Sequence, residues 1–229
     1  MGWPSKLVAI LAEHRSSRAY SQMEVMAQMT KTIGIVLFPD FEDLDAIGPR
    51  EALTMMAKAS GGEWQVVLVS EDGGPVQSFL GTRYLVDYSY ETCPPLDVIM
   101  VPGGLGTRTE MANEKHLEFV RRQGATCEFV TSVCTGALIL HKAGFLKGKQ
   151  ATTHWGAIPE LRNLGGDTTV VTDQRWVHDG NVITAAGVSA GIDMALYLIS
   201  LLKDAATAKR VQQMMEYYPK PPVFEEVPA

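Results

Sequence analysis

Cys134 stands where a strand pattern gives way to a helix pattern. Phe129, Val130, Thr131 and Val133 form a β-branched and aromatic run that reads as a buried strand, and Ala137-Leu138-Ile139-Leu140 continues at helical pattern, so Cys134-Thr135-Gly136 is the turn between them. Such a turn lifts a side chain out of a sheet and sets it at a helix N-terminus, where unpaired N–H groups and the helix dipole favour an anion. The anion expected here is a thiolate. A thiol of ordinary pKa, about 8.5, is only roughly 3% ionised near pH 7, whereas one lowered to about 6 is roughly 90% ionised. The plain alternative is a buried structural cysteine, the usual state of a free Cys.

A nucleophilic sulfur needs a proton donor and acceptor nearby, because whatever adds to it must gain and lose protons. Asp45 is the best-placed candidate. It lies just after the first strand pattern, as Cys134 follows a later one, so both are expected at the carboxyl edge of one sheet. The competing reading is that Asp45 caps a helix through Pro49, or sits solvated beside Glu42 and Asp43. Gly103 and Gly104 follow the strand D-V-I-M-V, and glycines there let backbone N–H groups approach a ligand closely, although glycine pairs also serve plain turns. There is no third glycine at dinucleotide-binding spacing and no Gly-Lys-Ser/Thr, so neither a nicotinamide nor an ATP site is expected. His154 and Trp155 follow a strand end, and a lone histidine is more often a hydrogen-bonded structural residue than a base. No His/Cys/Asp/Glu set has metal-ligand spacing, so no metal is implied. No cofactor is implied either.

The elements that must hold these residues alternate between strands and helices. Ile33 to Phe38 reads as a strand buried on both faces, and Gly48-Pro49 reads as the opening turn of a helix running to about Ser60. Gln65 to Ser70 then completes a right-handed βαβ unit. Residues 71 to 92 break the rhythm as an antiparallel excursion, with β-prone pieces at Val76 to Leu80 and Arg83 to Tyr90. Asp97 to Val101 is the next buried strand, a helix spans about Asn113 to Arg122, and a helix-like run covers Gly156 to Leu164. Late strands are read at Thr168 to Val171, Trp176 to His178 and Val182 to Ala185, the last two joined by an Asp179-Gly180 hairpin turn. Ser189 is placed to cap the apolar helix that follows, and a more polar helix covers Asp204 to about Tyr217. The fold class is therefore α/β, a doubly wound, mostly parallel sheet with helices on both faces and a nucleophile elbow.

Composition narrows the setting. A chain of 229 residues with 46% hydrophobic residues can bury a full core as one domain, assigned here to residues 31–229. Residues 1–30, Met- and Ser-rich with a short helical pattern at Leu7 to Ala12, are read as an N-terminal extension outside that core. The net charge of −6, without a Lys/Arg run interleaved with aromatics, argues against a nucleic-acid partner. Cys93, Cys127 and Cys134 are an odd set with no Cys-x-x-Cys pair, which points away from a disulfide framework and toward a reducing, cytoplasmic setting. The longest apolar run, Val188 to Leu202, contains Asp193 and is short for a membrane span, so no membrane partner is expected.

D-V-I-M-V-P-G-G, V-T-S-V-C-T-G-A, A-T-T-H-W and G-V-S-A-G-I-D together resemble the ThiJ/PfpI superfamily, which has a class I glutamine amidotransferase-like fold. Within it, L-D-A-I-G-P, T-S-V-C-T-G and A-T-T-H-W are similar to the isocyanide hydratases, over roughly residues 31 to 220. The resemblance implies a flavodoxin-like sandwich, a homodimer, and cofactor-free hydration of an isocyanide to an N-substituted formamide, with the isocyanide and water as its small-molecule partners. It matches Cys134 to the nucleophile, Asp45 to the acid/base, and Thr135 to a residue that helps place the aspartate. Gly103, Gly104, His154 and Trp155, with the loop Ala186, Gly187 and Val188, are the expected substrate-binding set, and Ala186 departs from the glycine common at its position. The implied chemistry is attack of sulfur on the isocyanide carbon with a proton from Asp45 to give a thioimidate, followed by water addition and release of the thiolate. The competing readings are a redox- or electrophile-responsive protein whose elbow cysteine is oxidised, and a small-molecule sensor. Peptidase-like members carry histidine where Thr135 stands, which argues against proteolysis.

Overall fold

The structure, a computed structural model, describes residues 30–219; the helical pattern at Leu7 to Ala12 and the Pro-rich segment beyond Pro219 lie outside the described residues. Five apolar runs form the centre of a seven-stranded sheet: β1 (Lys31–Val36), β2 (Trp64–Ser70), β6 (Val98–Val101), β7 (Phe129–Val133) and β11 (Val182–Ala185). Three two-residue pieces, β3 (Val76–Gln77), β4 (Arg83–Tyr84) and β5 (Tyr88–Ser89), lie between β2 and β6. β8 (Gln150–Ala151) and β9 (Thr169–Val170) form a small parallel pair, and β10 (Trp176–Asp179) completes the main sheet. The strand order is β10-β11-β7-β6-β1-β2-β5, parallel throughout except for the β10-β11 hairpin.

Both faces of this sheet are covered, which is why β6 is buried at every position and why its sequence is a continuous apolar run rather than an alternating one. The helices are α1 (Asp43–Ala59), α2 (Thr107–Glu110), α3 (Glu114–Gly124), α4 (Gly136–Ala143), α5 (Ile158–Asn163, after a 3₁₀ turn at Trp155–Ala157), α6 (Ala190–Leu202) and α7 (Ala205–Met214). α1, α6 and α7 pack together, as do α3 and α4. Asn113 starts α3 as expected of a cap, its side chain accepting from the N–H groups of Lys115 and His116.

Four expectations change. The first helix begins at Asp43, so Pro49 lies inside it rather than at its opening, and Asp45 belongs to its first turn. Proline costs one helical hydrogen bond there, while the apolar residues on either side, Ala46, Ala52 and Leu53, stay fully buried and hold the helix on the core. Tyr88–Ser89 rejoins the main sheet as a parallel edge strand instead of belonging to the antiparallel excursion, which is confined to β3 and β4. Ser189 occupies the N-cap position of α6 without making the capping hydrogen bond; its hydroxyl accepts from Arg175 instead. α2 follows the glycine loop where no helix was expected, being too short to carry a periodic pattern.

Candidate active site

The strand-to-helix turn is as sharp as the change of sequence period demands. Cys134 takes a φ of 55°, a left-handed conformation that costs a non-glycine residue on the order of 1–3 kcal/mol and persists only where its surroundings enforce it. Those surroundings are explicit. The Cys134 N–H points at two carbonyls at the end of β11, Ala185 at 3.1 Å and Ala186 at 2.9 Å, and its carbonyl accepts the Thr153 hydroxyl at 2.8 Å. Val188 is held at a φ of 40° on the facing loop, and its N–H, the Thr135 N–H and the Thr135 hydroxyl all act on the sulfur.

Asp45 reaches the same place from α1. Its side chain is fully buried, Oδ2 accepts the Gly103 N–H at 2.8 Å, and Oδ1 is buried with no hydrogen-bond partner. The glycine loop must be glycine for this to happen: a Cβ on Gly103 would lie 2.6 Å from the Thr135 nitrogen and 2.7 Å from Asp45 Oδ2. Thr135 ties the loop to the elbow, its hydroxyl oxygen accepting from the Gly104 N–H at 2.9 Å and donating toward the Gly104 carbonyl at 3.1 Å. The buried Thr107 hydroxyl donates to that carbonyl at 2.7 Å. A bridge between Phe41 and Gly104, with Glu42 N–H on the Gly103 carbonyl at 2.8 Å, fastens the loop to the start of α1.

Electrostatics corrects the expected thiolate. Burial first, and the Asp45 carboxylate second, push the Cys134 thiol up from 9.0 to about 12, with the Thr135 and Val188 N–H groups offsetting only part of the rise. A helix N-terminus contributes about 0.3–1 kcal/mol to an anion, whereas that rise corresponds to on the order of 4 kcal/mol, so desolvation wins. Asp45 moves the same way: burial raises it from 3.8 to about 7, with the Glu42 charge adding to the rise, against the Gly103 hydrogen bond and the lowering effect of the nearby Cys134 thiol. At neutral pH the pair is a neutral thiol beside a carboxyl group that is about half ionised. This is a poor free nucleophile beside a well-matched base.

Cys134, Thr135, Gly104, His154 and Val188 line one cavity of about 300 Å³. Gly103 stands behind them against Asp45. Trp155, Ala186 and Gly187 line a different cavity of about 750 Å³, which shares His154 and Val188 with the first. Cys134 lines the smaller cavity and not the larger one, which makes the smaller one the candidate reaction site. His154 is held as a neutral ring, its pKa lowered by burial and then by the Arg108 charge, with Nδ1 accepting the Gly156 N–H at 3.2 Å. Glu42, Phe79, Leu105, Arg108 and Ala157 also line the site and were not foreseen. Phe79 and Leu105 are exposed apolar residues on loops, without a periodic signal. Thr153 lies inside the A-T-T-H-W segment that did stand out. Among the described residues no group of three or more His, Cys, Asp or Glu side chains is arranged to hold a metal ion.

A parallel α/β sandwich with a strained cysteine elbow facing a buried carboxyl group defines a class of cysteine-centred proteins with a flavodoxin-like fold. The chain belongs to the DJ-1/PfpI family, whose sequence profile matches residues 31–201. It is 45% identical over 194 residues to isonitrile hydratase of Pseudomonas putida, covering 85% of this chain and 82% of that one. It is 27% identical over 190 residues to the HTH-type transcriptional regulator GbdR of Pseudomonas aeruginosa, covering 82% of this chain and 51% of the regulator. A ThiJ/PfpI family protein from Pseudomonas syringae superposes with a TM-score of 0.77 at 35% identity, over 86% of this chain and 78% of that one. Drosophila melanogaster DJ-1beta shares the fold, with a TM-score of 0.73 at 24% identity over 83% of this chain and all of that one. No helix among the described residues is long and apolar enough to cross a membrane.

Proposed function

We propose that this protein hydrates isocyanides to N-substituted formamides through a covalent intermediate on Cys134, with Asp45 as the proton carrier. The observation that carries the reading is the unpartnered, buried Asp45 carboxylate oxygen beside the elbow thiol, in a chain 45% identical to an isonitrile hydratase. Because the thiol is not ionised, the first step is concerted. The ionised Asp45 takes the S–H proton as sulfur bonds to the terminal isocyanide carbon, and the same proton is passed to that carbon, giving the thioimidate R–N=CH–S–Cys134. Sulfur never has to exist as a free anion.

Water then adds to the thioimidate carbon. Asp45 takes a proton from it, the nitrogen gains one, and a tetrahedral R–NH–CH(OH)–S–Cys134 forms. Its collapse breaks the C–S bond, returns a proton to sulfur and releases R–NH–CHO. The backbone N–H groups of Thr135 and Val188 stabilise negative charge on sulfur as it leaves. Thr135 holds the glycine loop that fixes Asp45 Oδ2, so Oδ1 is the oxygen left for proton transfer. Gly104, His154 and Val188 form substrate walls. The oxidation-sensor alternative has less support, since it needs a thiolate and access to oxidant, and Cys134 is 7% exposed with a raised pKa. Incubating the purified protein with isocyanobenzene and following formanilide tests the reading: catalytic turnover supports it, and absence of turnover across alkyl and aryl isocyanides overturns it.

A further inference from the structure

The candidate reaction chamber of about 300 Å³ and its neighbour of about 750 Å³ share two lining residues, His154 and Val188. The two are held differently. Val188 is locked by its left-handed backbone and by its N–H facing the sulfur. His154 lies over Gly187, where a Cβ would come within 2.4 Å of its ring, and it tilts against Trp155 with the ring centroids 5.4 Å apart. Its side-chain hydrogen bond is the 3.2 Å contact from the Gly156 N–H, and the charge that acts on it, Arg108, is of the sign that keeps the ring neutral. A flat neutral ring with one weak bond, seated on a glycine, is a partition that can turn about χ1 without breaking a strong interaction.

The far chamber offers a flat apolar surface within a mixed lining. Trp155, 67% exposed, Ile158 and Pro159 supply the apolar part, beside Thr172, Gln174 and the charged Arg162, Asp173 and Arg175. We infer that His154 gates a second subsite, and that the larger cavity receives the distal part of the N-substituent when an isocyanide is too long for the reaction chamber; the substrate class is extended N-aryl isocyanides. This rests on the hydratase reading above. The isocyano carbon stays at Cys134, the substituent passes the His154 ring edge, and its far ring stacks on Trp155.

The test compares isocyanobenzene with 4-isocyanobiphenyl as a ratio of kcat/KM values. Thr172→Trp, an exposed loop position that fills the far chamber, is expected to lower the biphenyl-to-phenyl ratio by about tenfold, and His154→Ala to raise it by about fivefold. Ratios within about twofold of wild type in both variants, with unchanged circular dichroism, overturn the inference. A ratio that stays put in Thr172→Trp while the sedimentation coefficient changes also overturns it, because the cavity is then an interface between copies. If neither isocyanide is hydrated, the hydratase reading fails, and the subsite is read separately from Cys134 alkylation at pH 9 by iodoacetamide against a biphenyl iodoacetamide. The two substitutions must move that ratio in the same opposite directions, and no change in either sinks the subsite.

Discussion

Strand β7 carries a cysteine beyond each end, and the two make a controlled comparison. Cys127 precedes the strand and Cys134 follows it; both are 7% exposed, and both thiols are pushed up to about 12 by burial and then by a neighbouring aspartate, Asp97 in one case and Asp45 in the other. The functional groups are the same. Their satisfaction is not. At the amino edge of the sheet, Cys127 donates to the Leu96 carbonyl at 3.2 Å and Asp97 accepts the Thr32 N–H at 2.7 Å, in a half-buried loop. At the carboxyl edge, Cys134 is bent into a left-handed turn beside a cavity, and Asp45 keeps one buried oxygen without a partner. Burial with its hydrogen bonds made gives an inert thiol, whereas burial with one acceptor withheld leaves a group ready to move a proton.

The largest expected break in this comparison is Cys134→Ala against Cys127→Ala. The first should lower formamide turnover by at least about 10³-fold, while the second should keep it within about twofold and cost only about 1–2 kcal/mol in urea unfolding. Equal losses would erase the distinction between the two ends of β7.

Asp45→Asn should reduce kcat/KM by about 10²–10⁴-fold, because the amide keeps the Gly103 hydrogen bond and loses the proton acceptor. The same change should stabilise the fold. Asp45 binds its proton more tightly when folded, at about 7, than in the unfolded chain, at 3.8, so its contribution to stability is fully present below the lower value and is lost as pH rises through the higher one. At pH 8 the variant should therefore be more stable than wild type by on the order of 2–4 kcal/mol, with no difference of that origin near pH 3.5. Denaturant midpoints at the two pH values decide it. For the wild type, kcat/KM should climb with pH and level off above about 7, where Asp45 is ionised; a profile flat from pH 5 to 8 would remove Asp45 as the base.

Gly103→Ala should act through position alone. Its Cβ would crowd the Thr135 nitrogen and Asp45 Oδ2, so a loss of about 1–3 kcal/mol in stability and a larger proportional fall in kcat than in KM are expected. Smallest of all, Thr135→Val should cost about tenfold in kcat, since it frees the Gly104 N–H but leaves the Thr107 hydroxyl on the Gly104 carbonyl. An intact rate in Thr135→Val would assign the loop's placement to Thr107.

The elbow was legible because two periods meet there, and five central strands were legible as apolar runs bounded by glycine or proline. The start of α1 was not, because Pro49 is the strongest local signal and buried packing at Ala46, Ala52 and Leu53 overrides it. β5 rejoins the sheet through two residue pairs, too few to leave a pattern. In the site, Cys134 and Asp45 were visible as chemistry placed at one sheet edge. The direction of the thiol pKa was not, because the helix end is a local feature of the sequence whereas desolvation comes from residues brought in by the whole fold. Glu42, Phe79, Leu105 and Arg108 reach the cavity from loops whose packing no short-range pattern encodes.

The most direct test of covalent chemistry at the carboxyl end of β7 is to trap the intermediate. Acid-quenching the wild-type protein during turnover of isocyanobenzene, followed by borohydride reduction and peptide mapping, should locate the isocyanide-derived mass on Cys134 and leave Cys127 and Cys93 unmodified. Formanilide production with an unmodified Cys134 throughout the steady state, or with the adduct on Cys127, would contradict the account.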